Sequence, residues 1–343
     1  MKSTPVTLKA IARELNISLS TVSRALRGMP EVHADTRAAV HRLAAELDYQ
    51  PNQLATNLAH SRTKTIGVLM PSLSYHFYSA LLSSIEDAAM LAGYSVLVCQ
   101  SNESHLREIT NIQNLMRSQV EGFLIALSRD TSSYEHIERL TRKNFPLVLF
   151  DRCADGIAAS KVIIDNEAAA FNATEHLIEQ GCQRIGFLAG PPNLLISSQR
   201  VAGYQAALAR HGLPARREHL LHCDFTQEDA IAQTQKLLSQ RQLPDGLLVV
   251  SDRVAFPAMY TLKQRGVRIP QDLAIASFNN EPFAALQTPG LTSVSQPLPE
   301  MGIETVRLLL RQLDADHEQP PLETKVLGTQ LVIRESSLRN ALP

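Results

Sequence analysis

The run "TIGVLMP" at 65–71 returns as "RIGFLAG" at 184–190, and the spacing around each copy returns with it. Gly67 stands 26 residues before Gly93, and Gly186 stands 26 before Gly212. Gly122, in "EGFLIAL", precedes Pro146 by 24 residues, and Gly246, in "DGLLVVS", precedes Pro270 by the same 24. Such a repeat leaves few folds open. Short apolar runs bounded by turn residues read as buried strands, and between them lie helical patterns such as "FYSALLSSIEDAAMLAGY" and "RVAGYQAALARHG". Strand and helix in alternation predict parallel βαβ units, so the body is expected to hold two similar α/β lobes. Ligands bind at the carboxyl ends of parallel strands, which puts a cleft between the lobes.

The stretch "LTSVSQP" at 291–297 reads as a return to the first lobe. On that reading the body spans 62–343, the first lobe taking about 62–163 with 293–328 and the second 164–292 with 329–343. Residues that end the apolar runs are those expected to face the cleft. Asp151 ends "PLVLFD", Asn279 ends "LAIASFN", and Ser251 and Asp252 end "LLVVSD". Arg200 sits in "SSQRVAGY", while Phe77 and Tyr78 open the first helix of the body. Carboxylate, amide and guanidinium groups beside an aromatic wall suit a hydroxyl-rich ring such as a sugar. The polar groups fork onto hydroxyls while the ring face packs on Phe77.

Several function classes drop out. No apolar run approaches the roughly 18 residues needed to span a membrane. The opening "MKSTPVTLKAIAREL" is charged throughout, unlike an export signal. Cys99, Cys153, Cys182 and Cys223 are scattered without metal-ligand spacing, so they are expected to be reduced, in a cytoplasmic protein. The chain carries no G-x-G-x-x-G, no P-loop and no G-x-S-x-G, so no cofactor, metal or catalytic site is expected. At 343 residues and 44% hydrophobic content it has room for two or three domains.

The head differs from the body in charge. Residues 1–64 carry nine Lys/Arg against five Asp/Glu, whereas the remainder carries 24 against 29. A basic head on an acidic body points to a polyanionic partner. Thr7 is placed to cap a helix with Leu8, Ile11, Ala12 and Leu15 on one face. Ser18 is placed to cap a second, running to about Leu26 with Val22, Ala25 and Leu26 inward. A third follows in "TRAAVHRLAAELDY", with Val40, Leu43, Ala44 and Leu47 on one face. Two short helices across a tight turn, braced by a third, predict a helix-turn-helix head over 1–50. The second helix then presents Leu19, Ser20, Ser23 and Arg24 outward, with Thr21 near its start. Small hydroxyls admit phosphates to the helix N-terminus, and one arginine can reach a guanine edge bidentately.

"TVSRAL" with "TR", "LDYQPN" and "ATNLAHSRTKTIGVLMP" resembles the start of a LacI/GalR-family regulator, and the resemblance extends from Thr7 to "IRESS". It implies a periplasmic-binding-protein-like core behind the head. It further implies that Leu19, Ser20 and Arg24 read base edges while Thr7, Ser18, Thr21 and Ser23 hold phosphates. Residues 51–61 match the family's hinge helix, in which the residue matching Leu58 wedges into the minor groove. Phe77, Tyr78, Asp151, Arg200, Ser251, Asp252 and Asn279 match effector-pocket positions or their neighbours. Departures are His33 where the family usually has Ser, Thr56 where it often has Arg, and Asn279 where many relatives have Asp.

The expected protein is a transcription regulator that binds palindromic double-stranded operator DNA and responds to a small, sugar-like effector in the cleft. With no leucine heptads after "LVIRE", a homodimer is expected rather than a tetramer. The alternatives are the same regulator with a protein co-effector, or a sugar-binding receptor, which would have no use for residues 1–61. A cytoplasmic sugar-metabolising enzyme would need a general base or phosphate loop that the motifs do not supply.

Overall fold

A computed structural model of the chain describes residues 6–49, 63–315 and 320–339, and these fall into two compact units divided after Thr63. Among the described residues the first unit holds three helices, α1 (Leu8–Glu14), α2 (Leu19–Leu26) and α3 (Ala34–Glu46). Asn16 turns the chain between α1 and α2 in the left-handed region, at φ 52°, which asparagine tolerates better than most residues. Ile11, Ala12, Val22, Ala25, Val40 and Ala44 are buried together, and Leu8, Leu15, Leu26, Leu43 and Leu47 pack around them. The apolar periodicity of the sequence therefore marks the faces that meet. The guanidinium of Arg37 donates to the Met29 and Val32 carbonyls at 2.9 and 3.0 Å, closing the loop between α2 and α3.

The second unit begins with a lobe of β1 (Thr65–Met70), α4 (His76–Leu91), β2 (Ser95–Gln100), α5 (His105–Arg117), β3 (Gly122–Ile125), α6 (Glu135–Arg142), β4 (Leu147–Phe150) and β5 (Ser160–Ile164). The chain crosses at Asp165 into α7 (Asn166–Glu179), β6 (Ile185–Ala189), α8 (Leu195–Arg210), β7 (Leu220–His222) and α9 (Gln227–Leu238). β8 (Gly246–Val249), α10 (Asp252–Gln264), β9 (Ala274–Phe278) and β10 (Thr292–Ser295) complete the second lobe's first passage. Then α11 (Leu298–Leu313) and β11 (Thr324–Leu327) return to the first lobe, and β12 (Gln330–Val332) ends in the second.

The two sheets have orders β11-β5-β4-β3-β1-β2 and β12-β10-β9-β8-β6-β7. Within each, the β4-β3-β1-β2 and β9-β8-β6-β7 segments repeat one topology, as the sequence repeat requires. Among the described residues every ladder is parallel except β10 with β12, which is antiparallel. One boundary moves. The sequence places the second crossing at about 293, but Ser293 and Val294 register against Ser277 and Phe278 of β9, so the chain leaves the second lobe only after Ser295. Both neighbours of β10 supply hydrogen bonds there, which keeps "TSVS" in the second sheet.

Each lobe also brings two helices together at a glycine. A Cβ at Gly203 of α8 would stand 2.1 Å from the Glu167 carbonyl oxygen of α7, and one at Gly302 of α11 would stand 2.5 Å from Cβ of Ser84 in α4. Neither backbone could approach so closely with a side chain present. Among the described residues no helix is long and apolar enough to cross a membrane.

Candidate functional sites in the second head helix and the inter-lobe cleft

Helix α2 starts with a cluster of hydroxyls. Ser18 Oγ accepts the Thr21 amide at 3.0 Å and lies 2.7 Å from both Ser20 Oγ and Thr21 Oγ1. The expected cap is therefore present, and the cluster sits at the helix's positive end. Leu19, Ser20 and Arg24 are exposed, with Thr21 and Ser23 partly so. The Arg24 side chain has neither an ion-pair nor a hydrogen-bond partner among the described residues. Arg27 instead turns back onto the Ser23 carbonyl at 3.1 Å. Thr7 occupies the N-cap position of α1 with extended backbone, but its side chain makes no capping bond. Its hydroxyl stays exposed. His33 takes the N-cap of α3, also without a side-chain cap, and lies 3.4 Å from Asp35. Leu58 and the rest of the expected hinge lie outside the described residues.

The second site is a cavity of about 50 Å³ between the lobes. The first lobe supplies Tyr75, Phe77 and Tyr78 from the start of α4 and Asp151 and Arg152 from the end of β4. The second supplies Ile196 and Arg200 of α8, Phe225 after β7, Val250 and Ser251 after β8, Arg253 of α10, and Asn279 and Glu281 after β9. Gln296, at the crossing between lobes, closes the ring. Six of the seven expected cleft residues are thus brought together at the carboxyl ends of both sheets.

Asp151 and Asn279 occupy corresponding places in the two lobes, and both adopt left-handed backbone, at φ 54° and 98°. Non-glycine residues held so are concentrated at functional sites. The Tyr78 hydroxyl donates to Asp151 Oδ2 at 2.6 Å. Burial pushes the Asp151 carboxyl up from its ordinary range, while the Arg152 charge and the Tyr78 bond pull it back down. Phe77 packs edge-on against Tyr78, with centroids 5.1 Å apart.

Arg200 is buried and held within the second lobe. Its Nε donates to Asn166 Oδ1 at 2.9 Å and its Nη1 to the Val250 carbonyl at 2.7 Å, while the guanidinium covers the Phe278 ring at 4.1 Å. Burial lowers its pKa to about 10, which leaves it charged at neutral pH. Among the described residues its contacts are all neutral, so no carboxylate pairs with the cation in direct contact. Two buried polar atoms beside it, Ser251 Oγ and Gln296 Oε1, have no partner among the described residues. The Gln296 amide nitrogen donates to Asn279 Oδ1 at 2.9 Å, which fixes which way its oxygen points. Unpaired polar groups at that depth are costly unless a ligand meets them.

Asp252 is not part of the cavity. It is fully buried, its Oδ1 accepting Ser293 Oγ and its Oδ2 the Glu281 amide, both at 2.7 Å. Burial raises its pKa to about 7 against those bonds. As the first residue of α10 it points down onto β10 and pins the loop after β9, whereas its neighbour Ser251 faces the cleft. Conversely, the sequence reading passes over Tyr75, Arg152, Phe225, Arg253, Glu281 and Gln296. Arg152 and Arg253 directly follow positions it picked out, so extending each motif by one residue would have found them. Phe225 and Gln296 carry no periodic signal.

The model of bacterial regulatory proteins, lacI family, matches residues 7–52, and the model of the periplasmic binding protein-like domain matches residues 174–337. The HTH-type transcriptional repressor CytR of Escherichia coli K12 is 33% identical over 100% of this chain and 98% of its own length. The chain belongs to the lacI family. As a lacI-family protein it is a DNA-binding transcription regulator, and its fold is that of solved members. The lac repressor dimer bound to operator and the anti-inducer ONPF superposes with a TM-score of 0.87 at 27% identity, covering 98% of this chain and 100% of that one. The transcriptional regulator CelR in complex with cellobiose superposes at 0.73 and 29% identity, covering 96% and 99%. The lacI-family model ends at residue 52, just beyond the last described residue of the head.

Proposed function

We propose that this lacI-family regulator binds a palindromic operator as a homodimer in the cytoplasm and is controlled by a small sugar-like effector held in the inter-lobe cavity. On the DNA, Leu19, Ser20 and Arg24 contact base edges, and Thr7, Ser18, Thr21 and Ser23 contact phosphates. Leu58 wedges into the minor groove when the hinge is paired with its dimer mate. In the cleft, Asp151, Arg200, Ser251 and Asn279, joined by Gln296, meet the effector's hydroxyls while Phe77 and Tyr78 face its ring. The lac repressor and CelR structures, one holding operator and the other cellobiose, support both halves of this reading. Like the CytR relative, the chain acts by binding rather than by catalysis.

The observation that carries the effector reading is the pair of buried, unpartnered atoms Ser251 Oγ and Gln296 Oε1, converging with an Arg200 cation whose two hydrogen bonds go to neutral oxygens. The size of the cavity adds the regulation. About 50 Å³ is several-fold below the roughly 300–1,000 Å³ of small-molecule pockets. A sugar ring therefore fits only if the lobes or their side chains rearrange, and a ligand that prefers one arrangement shifts the population.

Operator selection from random duplex with the full chain, followed by affinity against salt, tests the DNA half. Selection of a two-fold site whose log affinity falls linearly with log salt is expected. Failure to enrich any sequence would overturn it. Thermal-shift screening against pentoses, hexoses, disaccharides and their derivatives tests the effector half, which fails if none of them stabilises the protein while another ligand class does.

A further inference from the structure

Glu103 of the first lobe joins two arginines that both reach the second. It lies in the loop after β2, 6% exposed, with left-handed backbone at φ 63°. Its Oε2 accepts the Arg129 amide at 2.7 Å, and its two oxygens accept Arg152 Nη1 at 3.0 and 2.7 Å. Arg129 then spans the lobes. Its Nη1 donates to the Asp224 carbonyl at 2.7 Å, and its own carbonyl accepts Asn193 Nδ2 at 2.6 Å. The Arg152 guanidinium, which lines the cavity, lies 5.0 Å from the ring centre of Phe225, the residue after Asp224.

We propose that Glu103 is a positioning residue that couples the effector cavity to the inter-lobe clasp, so that what Arg152 touches decides how firmly Arg129 holds the second lobe. This rests on reading the cavity as the effector site. The reason is the shared carboxylate. When Arg152 turns toward a ligand, Glu103 is left buried with a single backbone donor, and a buried carboxylate short of donors is costly. Its left-handed loop relaxes, and the Arg129 backbone moves with it.

A purely local role for Glu103 is disfavoured by a second anchor on the 128–131 loop, which carries Arg129. Glu108 Oε2 accepts the Ser128 amide and hydroxyl, each at 2.7 Å, and Glu108 Oε1 accepts Thr131 Oγ1 at 3.0 Å. His136 lies 2.8 Å from that oxygen. The loop at 128–131 is thus held from behind without Glu103, whose particular contribution is the tie between Arg129 and Arg152.

Hydrogen exchange on the full chain, without effector, tests the coupling. Glu103→Gln should speed exchange of peptides covering 190–195 and 222–227 by about tenfold or more, since a charge-assisted hydrogen bond contributes over a decade. β1 and β6 should exchange as in the wild type. Arg152→Gln contacts neither Asn193 nor Asp224, yet should have the same effect on 190–195. In the double variant, whose two amides can still bond each other, Arg152→Gln should add nothing to Glu103→Gln. Arg129→Ala, which leaves the buried pair and the Asn193 bond to the residue-129 carbonyl intact but removes the side-chain bond to Asp224, should loosen the 222–227 peptide and so keeps the test open if the Glu103 variant does not fold. Wild-type exchange at 190–195 in Arg152→Gln, additive effects, or a uniform rise across both lobes would each overturn the coupling. Because no effector is used, an unsuccessful sugar screen and an unsuccessful clasp are separate results.

Discussion

Tyr78 holds the Asp151 carboxylate: the phenolic hydroxyl donates to Oδ2 at 2.6 Å, with both side chains in the first lobe and both buried. The residue that the sequence offers as part of an aromatic wall is also the donor that keeps a charged cleft residue in place. Tyr78→Phe removes that donor and should cost about 1–3 kcal/mol of stability. Burial already raises the Asp151 pKa and the Tyr78 bond opposes the rise, so the variant raises it further. A carboxyl with a raised folded-state pKa loses stability as pH climbs from its ordinary range through the folded value. The deficit of Tyr78→Phe should therefore be larger at pH 8 than at pH 4 in denaturant unfolding, and an equal deficit would contradict the assignment.

Asp252 makes a sharper case, because burial raises its pKa from 3.8 to about 7. Between those values the folded state binds the proton that the unfolded state has released, so the wild type loses stability as pH rises across that window and levels off above it. Asp252→Asn has no such titration. Its stability relative to wild type should rise between about pH 4 and pH 7, measured by urea unfolding at matched ionic strength. Parallel pH profiles for the two proteins would mean that the carboxyl is ionised throughout.

Arg200 serves the cleft and its own lobe together. Arg200→Ala strands Asn166 Oδ1 and the Val250 carbonyl, so a loss of about 1–3 kcal/mol in unfolding free energy should accompany weaker effector binding. Effector should then act only at concentrations about tenfold higher or more, read by calorimetry with a ligand from the screen. Arg200→Lys should not restore either quantity, since an ammonium cannot supply the Nε and Nη1 fork. Full rescue by lysine would reduce Arg200 to a point charge.

Gly203→Ala should destabilise by about 1–3 kcal/mol or more, because its Cβ would meet the Glu167 backbone at 2.1 Å. The corresponding Gly302→Ala meets Ser84 at 2.5 Å and should behave alike in the other lobe. Differential scanning calorimetry of both variants reads the two helix pairs separately. Wild-type melting in either would show that its helices have room to move apart.

On DNA, Arg24→Ala should cost about 1–3 kcal/mol on the selected operator and relax preference at one base pair. Ser23→Ala should weaken specific and random duplex more evenly. Leu58→Ala should lower operator affinity and reduce bending, seen by energy transfer between labelled DNA ends. Equal losses on operator and random duplex for Arg24→Ala would place that guanidinium on phosphate alone.

Much of this molecule is readable along the chain because its rules are local. The 26- and 24-residue glycine and proline spacings set two copies of one βαβ lobe, and the apolar periodicity of α1, α2 and α3 marks the faces that meet in the head. Asp151 and Asn279 could be picked out because each ends a buried strand at the edge where parallel sheets leave their ligand crevice. Tertiary structure decided the rest. Ser251 and Asp252 are neighbours, yet one faces the cavity and the other hangs on Ser293 and Glu281, since the first turn of α10 sends successive side chains in different directions. Glu103 and Arg152 stand 49 positions apart and Asn279 and Gln296 stand 17 apart. No period in the sequence joins such pairs. They meet because parallel strands stack their carboxyl ends side by side, and only the folded sheets bring those loops within hydrogen-bonding reach.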